Sequence, residues 1–325
     1  MLCIFHFQFS VNKEAFVIDI IIQGAISLGL LWSLMAIGVF MTFRILNMPD
    51  LSVEGTVILG AATAARLISN GHNPFLATIL AAFVGSIGGF VTGVMHTKLR
   101  IPPILAGILT MVASYSVVLR IMGTSNIGLP PHGPSRVVSV FTFLQEMGLE
   151  RESAIMIFAT AIVVVMGAAY YFFCGTEIGS AVRATGNNRQ MVAAQGVNTN
   201  AMIIMYLMIS NGFVALSGAL IAQSQAFASV DMGVGTIVVG LAAVIIAEVL
   251  FKVRRFWVRL ITLVVGSIIY RLIIALVLAL GMPPTDLRLL LAITVAFALT
   301  LPLIREKILK ILQALKKSEN NGGQK

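Results

Sequence analysis

The chain has 325 residues, of which 58% are hydrophobic and only 11% charged, and its mean hydropathy is +0.98. Soluble domains carry about a quarter charged residues, so a soluble globular fold is excluded and most of the chain must face lipid or pack inside a bilayer. The formal charge of +9 does not mark a nucleic-acid partner, because the cations stand singly between apolar runs and form no stripe; their placement reports topology.

In chain order, residues 1–23 form a mixed apolar and polar lead with three open readings: a surface helix, a partial extra span or an upstream extension. The lead lacks the basic n-region and small-residue cleavage site of a signal peptide. Apolar runs of about 20 residues come next, separated by polar or Gly/Pro-rich joints. They predict an all-α integral membrane protein with nine spans near 24–43, 53–69, 75–97, 104–122, 154–174, 200–222, 232–250, 259–281 and 287–304. A basic tail, 305–325, closes the chain. If the loop 175–198 is cytoplasmic, the inner segments collect Arg44, Lys98, Arg100, Arg183, Arg189, the run from Lys252 to Arg259 and the tail, and outnumber the outer cations. That asymmetry places the N-terminus outside and the tail inside; an extra span in the lead would move only the N-terminus.

An internal repeat organises the spans. DLSVEGTVILGAA, from Asp50, aligns with DMGVGTIVVGLA, from Asp231, once Glu54 is skipped, and pairs Asp50/Asp231, Gly55/Gly235 and Thr56/Thr236. Five spans separate the copies, so they enter the membrane from opposite faces. The expected architecture is an inverted repeat, about 24–122 and 200–304, with interrupted helices meeting near the midplane.

Charges within the spans need a physical reason. Asp50 and Asp231 precede helix starts, where a carboxylate can accept from free N–H groups and complement the dipole. Glu54 falls inside an apolar span, where a charge costs about 2.5–3.5 kcal/mol at helix centre, and so requires a partner or a wet cavity. Arg271 poses the same problem and is expected to fix helix packing, while Glu248, nearer an inner end, is expected to snorkel. Cys3 and Cys174 lie far apart, and His6, His72, His96 and His132 show no ligand spacing, so neither a disulfide nor a metal site is expected.

A polar island, Gly175 to Asn198, separates two apolar runs. Ile178, Ala181, Val182 and Thr185 fall at helical spacing; then come a Gly186-Asn187-Asn188 turn and a second short helix, with Asn188 placed to cap it and Gly196 to close it. Two readings stand: a docking surface for a soluble partner, or an amphipathic loop lying on the headgroups.

The chain has no G-x-x-x-x-G-K-[ST] motif, no series of buried acids or histidines for a proton relay, and no hydrolytic constellation. It reads as a pathway whose motor lies elsewhere. FRILNMPDLSVEGTVILGAA from Phe43, HTKLRIPPILAGILTM from His96, MGTSNIGLP from Met122 and GTEIGSAVRATGNN from Gly175 resemble the permeases of ATP-binding-cassette importers of the branched-chain amino acid and ribose type, closest to the tryptophan or tyrosine transport branch. The resemblance covers most of residues 24–304. It implies a non-enzymatic subunit of a bacterial cell membrane, and a transmembrane dimer of two permease copies in lipid. It also implies a separate ATPase that binds ATP and Mg, and an extracytoplasmic substrate-binding lipoprotein.

The expected function is alternating access for a small polar solute, an aromatic or branched amino acid, driven by the ATPase. The path is expected at Asn47, Asp50, Ser52, Glu54, Gly55 and Thr56, together with Ser229, Asp231, Gly235 and Thr236. Coupling to the ATPase is expected at Arg183, Gly186, Asn187, Asn188, Arg189, Met191, Val192, Ala194 and Gly196, with Met191, Val192 and Ala194 as the apolar anchors. The alternative is an ion-coupled secondary transporter, which inverted repeats and broken helices serve equally well.

Overall fold

The computed structural model describes residues 2–131, 138–251, 253, 255–279 and the single positions 289, 293, 296 and 300, with side chains from residue 21 onward. Helix α1 runs from Leu2 to Phe40 and passes into a π-helical turn, Met41–Ile45. After a non-helical stretch come α2 (Val53–Ser69), α3 (Pro74–Thr97) and α4 (Pro103–Met122). A short strand β1 (Asn126–Gly128) and a one-turn helix α5 (Thr142–Glu146) lead to α6 (Arg151–Gly175), the two loop helices α7 (Glu177–Asn187) and α8 (Arg189–Ala194), and α9 (Thr199–Gln225). Strand β2 (Phe227–Ser229), a 3-10 turn (Val230–Gly233), α10 (Thr236–Leu250) and α11 (Phe256–Ala279) complete the described part.

Local chemistry sets several of these boundaries. The Asn73 side chain accepts from the Phe75 N–H at 2.8 Å and Pro74 is the first helical residue, so α3 starts where its orphan donors are met. Helix α4 also opens on a proline, Pro103, and stops at Gly123, whose φ of +76° suits the left-handed cap. Asn198 caps α9 by accepting from the Ala201 N–H at 3.1 Å.

Among the described residues seven helical stretches are long and apolar enough to cross a membrane: Ile21–Ile45, Pro74–Thr97, Pro103–Met122, Arg151–Gly175, Thr199–Gln225, Val230–Leu250 and Phe256–Ala279. The chain is therefore a multi-pass, all-α membrane protein. Helix α2, at 17 residues, falls below that length and occupies the centre instead. It is enclosed by α3, α4, α9 and α10, and apart from Glu54 its residues are buried from Val53 to Ala65. Small residues permit this. A methyl group at Gly60 would overlap the Ala215 carbonyl, and one at Gly218 would overlap the Val57 carbonyl, so α2 and α9 meet backbone to backbone.

The structure revises the expected spans at two places. The lead is continuous with the first span in a single helix of 39 residues, about 58 Å at 1.5 Å per residue. The span expected at 232–250 starts with a 3-10 turn, and α10 proper begins at Thr236. The span expected at 287–304 and the tail at 305–325 lie outside the described residues, apart from 289, 293, 296 and 300. One feature outside the helices joins the two halves: β1 pairs antiparallel with β2, Asn126 opposite Ser229 and Gly128 opposite Phe227.

Candidate functional site

The first interruption lies between α1 and α2. A π turn carries extra backbone per turn and is frequent at functional sites; here it leads into Asn47 at φ +51°, a left-handed conformation uncommon outside glycine. The chain then dives into the core. Asp50 is 2% exposed, and its Oδ1 accepts from the Ser52 N–H at 2.9 Å and the Ser52 hydroxyl at 2.5 Å. Its Oδ2 accepts from Asn211 Nδ2 of α9 at 2.8 Å. Asn211 in turn accepts from the Thr56 hydroxyl at 2.7 Å and donates to the Leu207 carbonyl at 3.0 Å. Every member is buried and partnered, the condition under which a buried polar network rigidifies a core.

The second interruption precedes α10. The Ser229 hydroxyl accepts from the Asp231 N–H at 3.3 Å, and the Thr236 hydroxyl donates to the Gly233 carbonyl at 2.9 Å. Gly235, the N-cap residue, has φ +79°. Its N–H is met by the other half of the chain: Glu54 Oε1, at 3.1 Å. The intramembrane acid thus has its partner, a helix N-terminus whose dipole favours negative charge. The acid expected to cap α10, Asp231, is exposed in the preceding turn, so the structure corrects that expectation and assigns the cap to Glu54.

The ten path candidates divide into two groups. Asp50, Ser52, Gly55, Thr56 and Thr236 are buried in helix packing, Gly55 because a Cβ there would lie 2.8 Å from Ser114 Cβ and 2.9 Å from Met111 Cα of α4. Glu54, Ser229 and Gly235 are half-buried, and Asp231 is exposed. Tyr115 of α4, half-buried, lies within electrostatic reach of both Glu54 and Asp231. Asn47 stands apart from them all: exposed, it donates through Nδ2 to the Gly186 carbonyl at 3.1 Å.

The helical loop takes the expected form with two corrections. Asn188, extended at φ −152°, caps α8 by accepting from the Met191 N–H at 3.0 Å, and Gly196 lies beyond it at φ +84°. Gly186, however, is not a turn residue; α7 continues through it to Asn187. Its lack of a side chain has a spatial reason, since a methyl group would overlap the Ile45 carbonyl oxygen. The second correction concerns Val192, which is 2% exposed and therefore packs inward, while Met191 is 50% exposed. Asn187, Ala194, Arg183 and Arg189 are also exposed. Arg183 donates to the Cys174 carbonyl at 2.9 Å, and Arg189 bonds Asn200 and, at 3.4 Å, Thr199.

Glu248 does not simply snorkel. It pairs with Arg44 of the π turn and, at 2.6 Å, with Arg259 of α11, beside a cavity of about 260 Å³. Arg271 stacks over the Trp32 ring, 4.3 Å from its centroid, which supplies the packing role expected of it. Sequence reasoning missed Asn211 and Tyr115. A lone Asn in the middle of an apolar span is a signal for the first, since such a group needs a partner; nothing in the sequence singles out the second.

Membrane-length helices packed around a short enclosed one, with two broken segments abutting, define a polytopic all-α membrane protein. The chain belongs to the family of the permease component of the branched-chain amino acid transport system, whose description matches residues 21–300, and it is accordingly a transport-system permease. It is 40% identical over 266 residues to the tyrosine transport system permease protein of Clostridioides difficile, covering 82% of this chain and 86% of that one. It is 31% identical over 268 residues to an uncharacterized protein of Rickettsia prowazekii, 81% of this chain and 91% of the other. An autoinducer 2 import system permease protein of Yersinia enterocolitica is 27% identical over 217 residues, 66% of this chain and 57% of its own length. No solved structure matches the chain.

Proposed function

We propose that the chain is the membrane-spanning subunit of an ATP-binding-cassette importer for an aromatic amino acid, assembled as two copies with a separate ATPase and an extracytoplasmic binding protein. The family supports the class, and the likeness to a tyrosine transport permease supports the substrate. The observation that carries the ATPase partnership is the α7–α8 loop: a pair of capped helices that leaves Met191 and Ala194 exposed on α8, with Arg183 of α7 and Arg189 of α8 exposed on the same loop. Small apolar anchors rimmed by charge suit an interface that must transmit force without locking one state.

ATP and Mg would be bound by the partner, and this chain would supply the path. Ser229, Asp231, Glu54 and Tyr115 offer it polar groups, and the buried Asp50, Ser52 and Thr56 hold its wall in place. Two breaks from opposite halves, joined by the Glu54–Gly235 bond, are the surfaces that a change between outward and inward states would separate. A swing from 1:99 to 99:1 needs about 5.5 kcal/mol of differential binding, within reach of ATP and partner binding together.

The test is reconstitution of this chain with a candidate ATPase and binding protein from the same genome. Met191→Asp should reduce recovery of the ATPase by at least tenfold without loss of membrane insertion, because the carboxylate meets an apolar groove. Val192→Asp should instead lower the stability of the permease itself. Uptake of labelled tyrosine, tryptophan and leucine should require ATP; uptake driven by a sodium or proton gradient with no ATPase present would overturn the importer reading in favour of secondary transport.

A further inference from the structure

The interrupted stretch from Met41 to Asp50 touches three other helices, α7, α10 and α9. At Ile45 and Asn47 it abuts Gly186 of α7, so closely that no side chain fits between, and the Asn47 amide closes the contact. At Arg44 it is paired with Glu248, at the inner end of α10. At Asp50 it is bonded to Asn211 of α9, and it continues directly into α2, whose Glu54 caps the other end of α10 at Gly235. One end of α10 is therefore held from this stretch, through Arg44, and the other from the helix that directly follows it, through Glu54.

We infer that Met41–Asp50 is the element that carries displacement of the α7–α8 loop to α10, with Asn47 as the positioning residue at the joint; the inference rests on the reading of that loop as the ATPase contact. Two properties fit it for this. It connects the loop to α10 through a hydrogen bond, a backbone contact and ion pairing, with the exposed Asn47 and Arg44 as the linking side chains. It also has a discrete second arrangement available. A π turn holds extra backbone relative to an α turn, and its relaxation to α geometry would move the residues of the turn by up to about 1.5 Å along and about 100° around the axis, a change taken up at Asn47 before the buried Asp50 network. Such a shift carries the Arg44 guanidinium away from Glu248, leaving Glu248 with Arg259 alone, and releases the inner end of α10. The left-handed Asn47 marks where the strain is stored, and the Gly186 contact holds it there.

The experiment uses the full assembly, reconstituted in proteoliposomes with its ATPase and binding protein. Asn47 is exposed and outside the polar network, so Asn47→Ala is expected to insert and to recover the ATPase at the wild-type yield. ATP hydrolysis should stay within about twofold, while labelled amino acid transported per ATP falls about tenfold. Arg44→Gln should show the same dissociation of transport from hydrolysis. Because the two lie in series, the double variant should be no worse than the poorer single one; losses that multiply would overturn a shared route. A second readout needs no transported solute. Labelling of Phe43→Cys, an exposed position in the π turn, by a membrane-impermeant maleimide should change at least threefold when the ATPase is trapped with vanadate, and Asn47→Ala should abolish that change. Normal transport per ATP in Asn47→Ala, or a Phe43→Cys labelling rate indifferent to trapping, overturns the inference while leaving the importer reading intact. Failure of the wild-type chain to recover the ATPase overturns both.

Discussion

The entrances of α2 and α10 carry the same sequence pattern and are supported in opposite ways. At α2 the acid, Asp50, serves its own helix and is buried with Ser52, Thr56 and Asn211 in a closed network. At α10 the equivalent acid, Asp231, is exposed, and the helix start is held by Glu54, a residue with no counterpart in the second copy. The two glycines differ likewise. Gly55 is required by space, pressed against Ser114, whereas nothing lies within 4 Å of a Cβ at Gly235, which is required by its positive φ. One copy is built as a fixed post and the other as a hinged one, so a repeated sequence does not imply a repeated mechanical role.

The largest effect that would sharpen this contrast is at the acids. Asp50→Leu removes the acceptor of the Ser52 N–H and one of the two acceptors of both the Ser52 hydroxyl and the Asn211 amide, at about 1–3 kcal/mol for a buried group left unpaired. A pronounced drop in the thermal midpoint of the detergent-purified protein should result. Asp50→Asn should fall between, because its oxygen still accepts from Ser52 while its amide confronts that of Asn211. Asp231→Leu should stay within about 0.5 kcal/mol of wild type, as surface changes do. Equal losses for the two leucine variants would erase the distinction between post and hinge.

Next in size come the glycines. Gly55→Ala should cost about 1–3 kcal/mol through overpacking against α4, and Gly235→Ala about 1–2 kcal/mol through the left-handed conformation. Their rescue separates them. Asn tolerates positive φ, so Gly235→Asn should regain most of the lost stability, whereas Gly55→Asn should be worse than Gly55→Ala; thermal midpoints of the four proteins decide it.

The smallest effect is at Glu54→Gln, where the amide oxygen can still accept from Gly235. Loss of the charge at the helix N-terminus should cost about 1 kcal/mol. By hydrogen exchange it should show as about fivefold faster exchange at the first turn of α10, with α2 unchanged. Acceleration spread equally over both helices would break the comparison from the other side.

Features that depend on near neighbours were legible in the sequence. The caps at Asn188 and Gly196, the helical character of the loop and the need of Glu54 and Arg271 for partners all come from residues a few positions apart or from the cost of a charge in lipid. The identity of partners far along the chain was not legible: Gly235 for Glu54, Trp32 for Arg271, Asn211 for Asp50. A turn at Gly186 had sound local chemistry and failed because the true constraint is the Ile45 carbonyl, 141 positions away by residue number. Val192 failed similarly, since a helix of six residues is too short for its periodicity to show which face packs inward.

The enclosure of α2 has a consequence for how the protein is made. Thr56 and its partner Asn211 are 155 residues apart, and at roughly 5–20 residues per second of synthesis α2 waits about 8–31 s before the helix that covers it exists. During that interval Asp50, Ser52 and Thr56 lack Asn211 and Glu54 lacks the N-terminus of α10, in a helix of 17 residues that is short for a bilayer. The nascent chain must therefore keep α2 sheltered against α3 and α4, or in the insertion machinery, until α9 arrives. Truncation after Gly175 should yield a fragment that is extracted and degraded, although α1, α3, α4 and α6, each long enough to cross a bilayer, are already made.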